Sequence, residues 1–143
     1  MIYTNSDGGS RGNPGPGACA AIVRREGEIL TKYSKFLGKF LTNNQAEYEG
    51  LIMALELASK ITDGDIICVL DSELVVKQLM GEYKVKDKKL LPLFLKVQKL
   101  QENFKTIKYQ HASRWDKFQR IADELLNDEL NRMGYYKKDY RRK

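Results

Sequence analysis

Asp65-Ile66-Ile67-Cys68-Val69-Leu70-Asp71-Ser72 decides the fold. Five successive apolar residues follow an Asp63-Gly64 break, with no polar alternation among them. A run of that length reads as a strand covered on both faces, which requires helices on both sides of a sheet. Upstream, Thr42 and Gln45 have the spacing of a capping box, and Asn43 and Asn44 are also good helix starters. Leu51, Ala54, Leu55 and Ala58 then recur at helical spacing, predicting a helix that ends before Asp63. Further upstream, Met1–Ser6, Ala18–Arg25 and Glu28–Leu37 read as three strands of an antiparallel meander. A stretch rich in glycine and proline, Asp7–Gly17, separates the first two. Downstream, Ser72–Met80 and Leu90–Phe104 read as helices, with Pro92 tolerated in a first turn. Thr106–His111 reads as a last short strand. Asp116–Met133 reads as a long amphipathic helix with Phe118, Ala122, Leu125, Leu126 and Met133 on one face. Three strands followed by alternating helices and strands make an α/β domain with helices packed on a mixed sheet. No repeat or linker divides it.

At 143 residues and 42% hydrophobic, the chain suits one globular domain. No apolar run approaches the roughly 20 residues needed to cross a bilayer, and the N-terminus lacks a basic patch followed by an apolar signal core. Cys19 and Cys68 both sit inside apolar runs without a zinc-like spacing, which favours buried thiols in a reducing cytoplasm over a disulfide. The net charge of +6 is concentrated. Residues 82–89 carry four lysines against Glu82 and Asp87, leaving +2. Residues 134–143 carry Lys137, Lys138, Arg141, Arg142 and Lys143 against Asp139, leaving +4. Localised positive charge suits a polyanion, and it equally suits a solvated loop and a solubilising tail. The chain therefore divides into a body, residues 1–133, and a basic C-terminal tail, 134–143, in which Tyr135, Tyr136 and Tyr140 interleave with the basic residues and could aid backbone contact or stacking.

Four acidic residues stand in unusual places. Asp7 is expected at the end of the first strand, where it could also form an Asx-turn in Asp-Gly-Gly. Glu47 falls in the first turns of the long helix, where the helix dipole favours an acid but does not explain one on the apolar stripe. Asp71 ends the buried strand and could cap the helix that follows. Asp123 lies at the stripe edge of the last helix, beside Ala122, where a charge is ordinary. Taken together they converge on strand ends and on helices that pack against the sheet, where α/β proteins collect ligand sites. Four carboxylates in one place repel unless cations neutralise them, and two Mg²⁺ ions would cancel the four charges. Hard oxygen ligands suit Mg²⁺ or Mn²⁺ over zinc, and a two-ion site suits in-line displacement at phosphorus. Gly15-Pro16-Gly17-Ala18-Cys19-Ala20 matches a dinucleotide-binding fingerprint in letters only, because a strand rather than a helix is expected after it.

These motifs resemble type 1 ribonuclease H. Asp7-Gly8-Gly9-Ser10-Arg11-Gly12-Asn13-Pro14-Gly15-Pro16-Gly17, Thr42-Asn43-Asn44-Gln45-Ala46-Glu47-Tyr48, Leu70-Asp71-Ser72, and His111 followed by Ala122-Asp123 are similar to its four catalytic segments, in order, over residues 1 to about 130. The resemblance implies a five-stranded mixed sheet flanked by helices. It implies endonucleolytic, metal-dependent hydrolysis of the RNA strand of RNA–DNA hybrids, leaving 5′-phosphate and 3′-hydroxyl ends. Asp7, Glu47, Asp71 and Asp123 would be the metal-binding carboxylates. His111 would sit at the rim and assist proton transfer or product departure, as an imidazole can near neutral pH. Gly8, Asn13, Asn43 and Asn44 match positions that contact the hybrid in its minor groove, where the 2′-hydroxyl marks RNA. Thr42 matches a contact to a DNA phosphate. The same residues also suit turns and caps. A monomer is expected, and activity on double-stranded RNA or RNA–DNA junctions is the alternative. Only Gly81–Lys89 occupies the place of the long basic protrusion of many relatives, so the resemblance is to the compact branch. His111 and Asp123 stand two residues further apart than the family pattern, across Ala112-Ser113-Arg114-Trp115-Asp116. Gln119 stands where relatives often have Asn.

Overall fold

The computed structural model describes residues 1–140. The tail residues Arg141, Arg142 and Lys143 lie outside the described residues. Five strands, β1 (Ile2–Ser10), β2 (Gly15–Arg25), β3 (Glu28–Leu41), β4 (Asp65–Leu70) and β5 (Thr106–His111), form one sheet in the order β3-β2-β1-β4-β5. The β1–β2 and β2–β3 pairs are antiparallel, while β1–β4 and β4–β5 are parallel, so the sheet is mixed as expected. Helices α1 (Asn43–Ser59), α2 (Glu73–Leu79), α3 (Leu91–Gln101) and α4 (Lys117–Arg132) flank it. A short 3₁₀ turn, Lys137–Tyr140, follows α4.

Strand β2 explains the two layers. From Gly15 to Val23 every residue is buried. Ala18, Ala20 and Ile22 face Ala122, Leu126 and Leu130 of α4, whereas Val23 joins Leu51, Leu55, Val75 and Val97 on the other face. Alternation thus serves two cores with one strand. Cys19 and Cys68 are buried free thiols. Among the described residues no helix is long and apolar enough to cross a membrane.

The first strand departs from expectation. It does not stop at Ser6 but runs to Ser10, pairing Asp7 with Ala20 and Gly8 with Cys19. Its glycines read as a turn, but they allow α1 to cross the strand with main chain against main chain. A Cβ on Gly8 would lie 2.0 Å from the Ala46 carbonyl oxygen, and one on Gly50 2.7 Å from that of Asp7. The capping box forms as expected. Thr42 Oγ1 accepts from Gln45 N at 3.1 Å, and Gln45 Oε1 accepts from Thr42 N at 2.8 Å. Helix α2 starts at Glu73, capped by Ser72 rather than by Asp71, with Ser72 Oγ accepting from Val75 N at 3.2 Å.

The buried stripe of α4 also differs from the expected one. Gln119, Ala122, Leu126, Glu129 and Leu130 are buried, whereas Met133 is exposed and Phe118 half-buried. Two polar residues join the stripe because each has a partner. Gln119 Nε2 donates to the Ser6 carbonyl at 2.6 Å, and Gln119 Oε1 accepts from Asn5 Nδ2 at 3.2 Å. Ser34 Oγ donates to Glu129, which also pairs with Arg132. Asn5 in turn accepts from Arg24 Nε at 2.8 Å, and the Arg24 guanidinium lies between the rings of Tyr3 and Phe118, 4.3 Å from each centroid.

Candidate active site

A cavity of about 230 Å³ opens where β1 and β4 run toward α1 and α4. Asp7, Glu47, Asp71 and Asp123 all line it. Two topological facts bring the acids together. Ser6 pairs with Leu70 in the parallel β1–β4 ladder, so Asp7 and Asp71 follow directly on neighbouring strands. The contact of α1 with β1 at Gly8 brings Glu47 to the same point, and α4 supplies Asp123 from the opposite layer.

The four are not equivalent. Asp7 is 4% exposed and Glu47 6%, while Asp71 and Asp123 stand exposed at the rim. The amide of Gly8 donates to both Asp7 Oδ1 and Glu47 Oε1, at 2.9 Å each. Glu47 Oε2 is buried with no hydrogen-bond partner. Burial, then the hydrogen bond and charge of Glu47, then the charges of Asp123 and Asp71, push the Asp7 carboxyl far above the ordinary carboxylate range. Burial also pushes Glu47 up, against the pull of the Gly8 and Ser72 amides. Such a pair retains a proton until a cation replaces it. Among the described residues no group of three acidic, histidine or cysteine side chains forms a ready-made ion cage. The donor set nevertheless fits a hard cation: every candidate ligand is a carboxylate, and one buried carboxylate oxygen lacks a partner.

His111 closes β5 beside Leu70 and is exposed. Its Nε2 lies 3.0 Å from the Asp71 carbonyl oxygen. That oxygen can only accept, so Nε2 carries the hydrogen. The ring stands next to Asp71 but does not line the cavity. The longer segment after it turns at Ser113, whose carbonyl accepts from Asp116 N at 3.1 Å, and leaves Trp115 76% exposed. Asp116 then caps α4 through Phe118 N and Gln119 N.

Of the expected substrate residues Gly8 lines the acid cavity, while Asn13 and Asn43 brace the nearby hairpin and helix start. Asn13 Oδ1 accepts from Asn43 N at 2.9 Å, and Asn43 Oδ1 accepts from Ser10 N at 2.9 Å. These bonds tie the β1–β2 hairpin to the start of α1, where Thr42 is the cap and Asn44 is half-buried. Their side-chain carbonyls therefore perform structural work, and Gly8 is required by the helix crossing whatever else it does.

Two cationic residues also line the cavity, Arg11 of the β1–β2 hairpin and Lys137 of the basic tail. Arg11 is only 6% exposed and each of its three guanidinium nitrogens has a partner: Nε donates to the Tyr135 carbonyl, Nη1 to Asn127 and Nη2 to Asn131. Lys137 comes from the 3₁₀ turn that follows α4. A lone arginine among hairpin glycines was the available signal for the first. Nothing local marks the second, because it arrives by the folding back of the tail.

Residues 5–128 match the reverse transcriptase-like family. The bifunctional protein Rv2228c of Mycobacterium tuberculosis is 38% identical over 132 residues, which is 91% of this chain and 35% of that protein. Its N-terminal RNase H domain, solved as a fusion, superposes with a TM-score of 0.87 at 37% identity, covering 93% of this chain and 95% of the other. A compost-derived LC11-RNase H1 solved in complex with RNA/DNA hybrid gives a TM-score of 0.86 at 34% identity, covering 93% and 99%. Ribonuclease HI of Halobacterium salinarum is 36% identical over 130 residues, 89% of this chain and 65% of that one. The chain thus spans about a third of the mycobacterial protein's length. With the mixed sheet, its four flanking helices and the short link between α2 and α3, these matches show that the chain belongs to the type 1 ribonuclease H family.

Proposed function

We propose that this chain is an endonuclease that hydrolyses the RNA strand of RNA–DNA hybrids, leaving 5′-phosphate and 3′-hydroxyl ends. The observation that carries the reading is the gathering of Asp7, Glu47, Asp71 and Asp123 on one cavity, with an unpartnered Glu47 oxygen inside it. Those four residues would hold two divalent cations, Mg²⁺ or Mn²⁺. The chemistry the ions supply when bound is activation of the attacking water and stabilisation of the leaving oxygen.

The chain's own groups do the rest. Gly8 N–H fixes Asp7 and Glu47 relative to each other. Asn127 Nδ2 donates to the Asp123 carbonyl at 2.9 Å and steadies that turn of α4. His111, beside Asp71 on the exposed side, would exchange a proton as product leaves. Asn13 and Asn43 use their carbonyls internally, which leaves their Nδ2 donors for the minor groove of the hybrid. Asn44, Gly8 and Thr42 would complete that contact surface, with Thr42 toward a DNA phosphate. The body, 1–133, would carry the catalytic groups and act as a monomer in the cytoplasm.

The test is strand-labelled RNA–DNA hybrid, double-stranded RNA, an RNA–DNA junction and single strands, each incubated with Mg²⁺ or Mn²⁺. Cleavage confined to the RNA strand of the hybrid is expected. Binding without metal-dependent cutting would refute the enzyme, and equal cutting of every duplex would refute hybrid specificity.

A further inference from the structure

The residues after α4 fold back over the catalytic cavity. Gly134, at φ +91°, turns the chain, and Tyr135 N donates to the Leu130 carbonyl at 2.9 Å. The Tyr135 ring then stacks on Phe36 of β3, with centroids 5.8 Å apart and planes 7° off parallel. Its carbonyl accepts from Arg11 Nε at 3.1 Å. At the end of the 3₁₀ turn, the ring of Tyr140 lies against Gly12, where an added Cβ would come within 3.1 Å of Cδ1. The strap is thus fixed on both sides of Lys137, once by Tyr135 and once by Tyr140.

This clamping places Lys137 on the wall of the four-carboxylate cavity. Lys138 instead lies over the ring of Tyr136, 5.9 Å from its centroid. Arg11 also lines the cavity, but its guanidinium is committed to Tyr135, Asn127 and Asn131. Among the described residues Lys137 forms no ion pair with any of the four acids. Lys137 is therefore a basic residue on the cavity wall whose side chain is not paired with the acids.

We infer that Lys137 is a substrate-positioning residue, carried on a strap that Arg11 clips to the β1–β2 hairpin, and that its ammonium binds an RNA-strand phosphate flanking the bond to be cut. This rests on the hybrid-cleaving reading above. A fixed lysine there offsets the repulsion between phosphate and the acidic rim, and it acts at one position rather than as diffuse tail charge.

The test compares K137A, K137R and K138A. In active protein, K137A is expected to raise KM for the hybrid about fivefold with kcat within about twofold. In the Asp71→Asn background, where the hybrid stays intact, equilibrium binding is titrated against salt. K137A is expected to flatten the slope of log K against log salt by about 0.9, the value for one lost phosphate contact. K137R restores the slope, and K138A shifts it by less than half as much. Unchanged melting temperatures exclude a packing effect. Equal shifts in K137A and K138A, or none in K137A, would overturn the inference. Failure of the wild type to cut hybrid would refute the functional reading, while the binding slopes would still decide Lys137.

Discussion

Adding one methyl group at Gly8 should damage both the fold and the site. Its Cβ would fall 2.0 Å from the Ala46 carbonyl oxygen, 2.1 Å from the carbonyl carbon and 2.5 Å from Glu47 N. Ordinary contact begins near 3.4 Å, so α1 and β1 must part by about 1.4 Å. All three clashes are with main chain, so no side-chain rotation relieves them. Overpacking of this kind costs about 1–3 kcal/mol, and the absence of a soft neighbour puts Gly8→Ala at the upper end. For a chain of this size that is a fall of roughly 10 °C in Tm. The separation also lengthens the 2.9 Å bond from Gly8 N to Glu47 and moves one acid away from its partner. A displacement near 1 Å is enough to lower cleavage about 10²-fold. Gly9→Ala is the control, because its Cβ would meet only Leu126 Cδ1 at 3.6 Å and the Asn43 oxygen at 3.9 Å. Melting followed by circular dichroism and single-turnover cleavage of hybrid measure the two effects. A Gly8→Ala protein that melts within 2 °C of wild type and cuts at the wild-type rate would refute the main-chain crossing as the device that sets the acid pair. Equal destabilisation by Gly9→Ala would refute it too.

Asp71→Asn should lower cleavage by at least about 10²–10³-fold while shifting stability by less than about 0.5 kcal/mol, because the side chain is exposed and Ser72 does the capping; rate and melting curve check both. The Asp7–Glu47 pair is pushed up in the folded state, so the native chain holds protons that the unfolded chain releases above about pH 4. Without divalent cation, stability therefore falls as pH rises from there, by about 1.4 kcal/mol per pH unit for each proton retained, until the pair itself ionises. Saturating Mg²⁺ should flatten that fall, and a melting series in chelator showing no pH dependence would contradict it. Thr42→Ala removes the capping box of α1 and should cost about 1 kcal/mol in a denaturant titration, with a smaller effect if water replaces the cap.

What could be read from residues alone followed the strength of local signals. The apolar run Ile66–Leu70, the Thr42–Gln45 box and the stripe from Leu51 to Ala58 each state their structure within a few residues, and all three formed. The sheet and its flanking helices follow from their order. Glycines misled, because low strand propensity at Gly8 and Gly9 says turn, whereas close approach of a helix says strand, and only the second depends on a partner 39 residues away. The α4 stripe was misread for the same reason: Gln119 and Glu129 count as polar until Ser6, Asn5 and Ser34 appear beside them. The four acids were legible as anomalies, each defensible singly and informative as a group, and they line one cavity. Arg11 and Lys137 were not, since their place depends on the fold-back of residues 134–140.

The hydrogen bonds of Gln119 carry a last consequence. Helix α4 lies on Ala18, Ala20 and Ile22, a surface on which two of the three side chains are small and offer little resistance to sliding. Shifting the helix by one turn would preserve apolar contact with β2 and carry Asp123 about 5.4 Å from its place. Gln119 forbids that slip, because its amide meets Ser6 and Asn5 at a single setting and a shifted helix would bury it unpaired. Together with the Arg11 bonds to Asn127 and Asn131 and the Ser34 bond to Glu129, this link selects one alignment of the helix, and Gln119 does so one turn from the acid whose position depends on it.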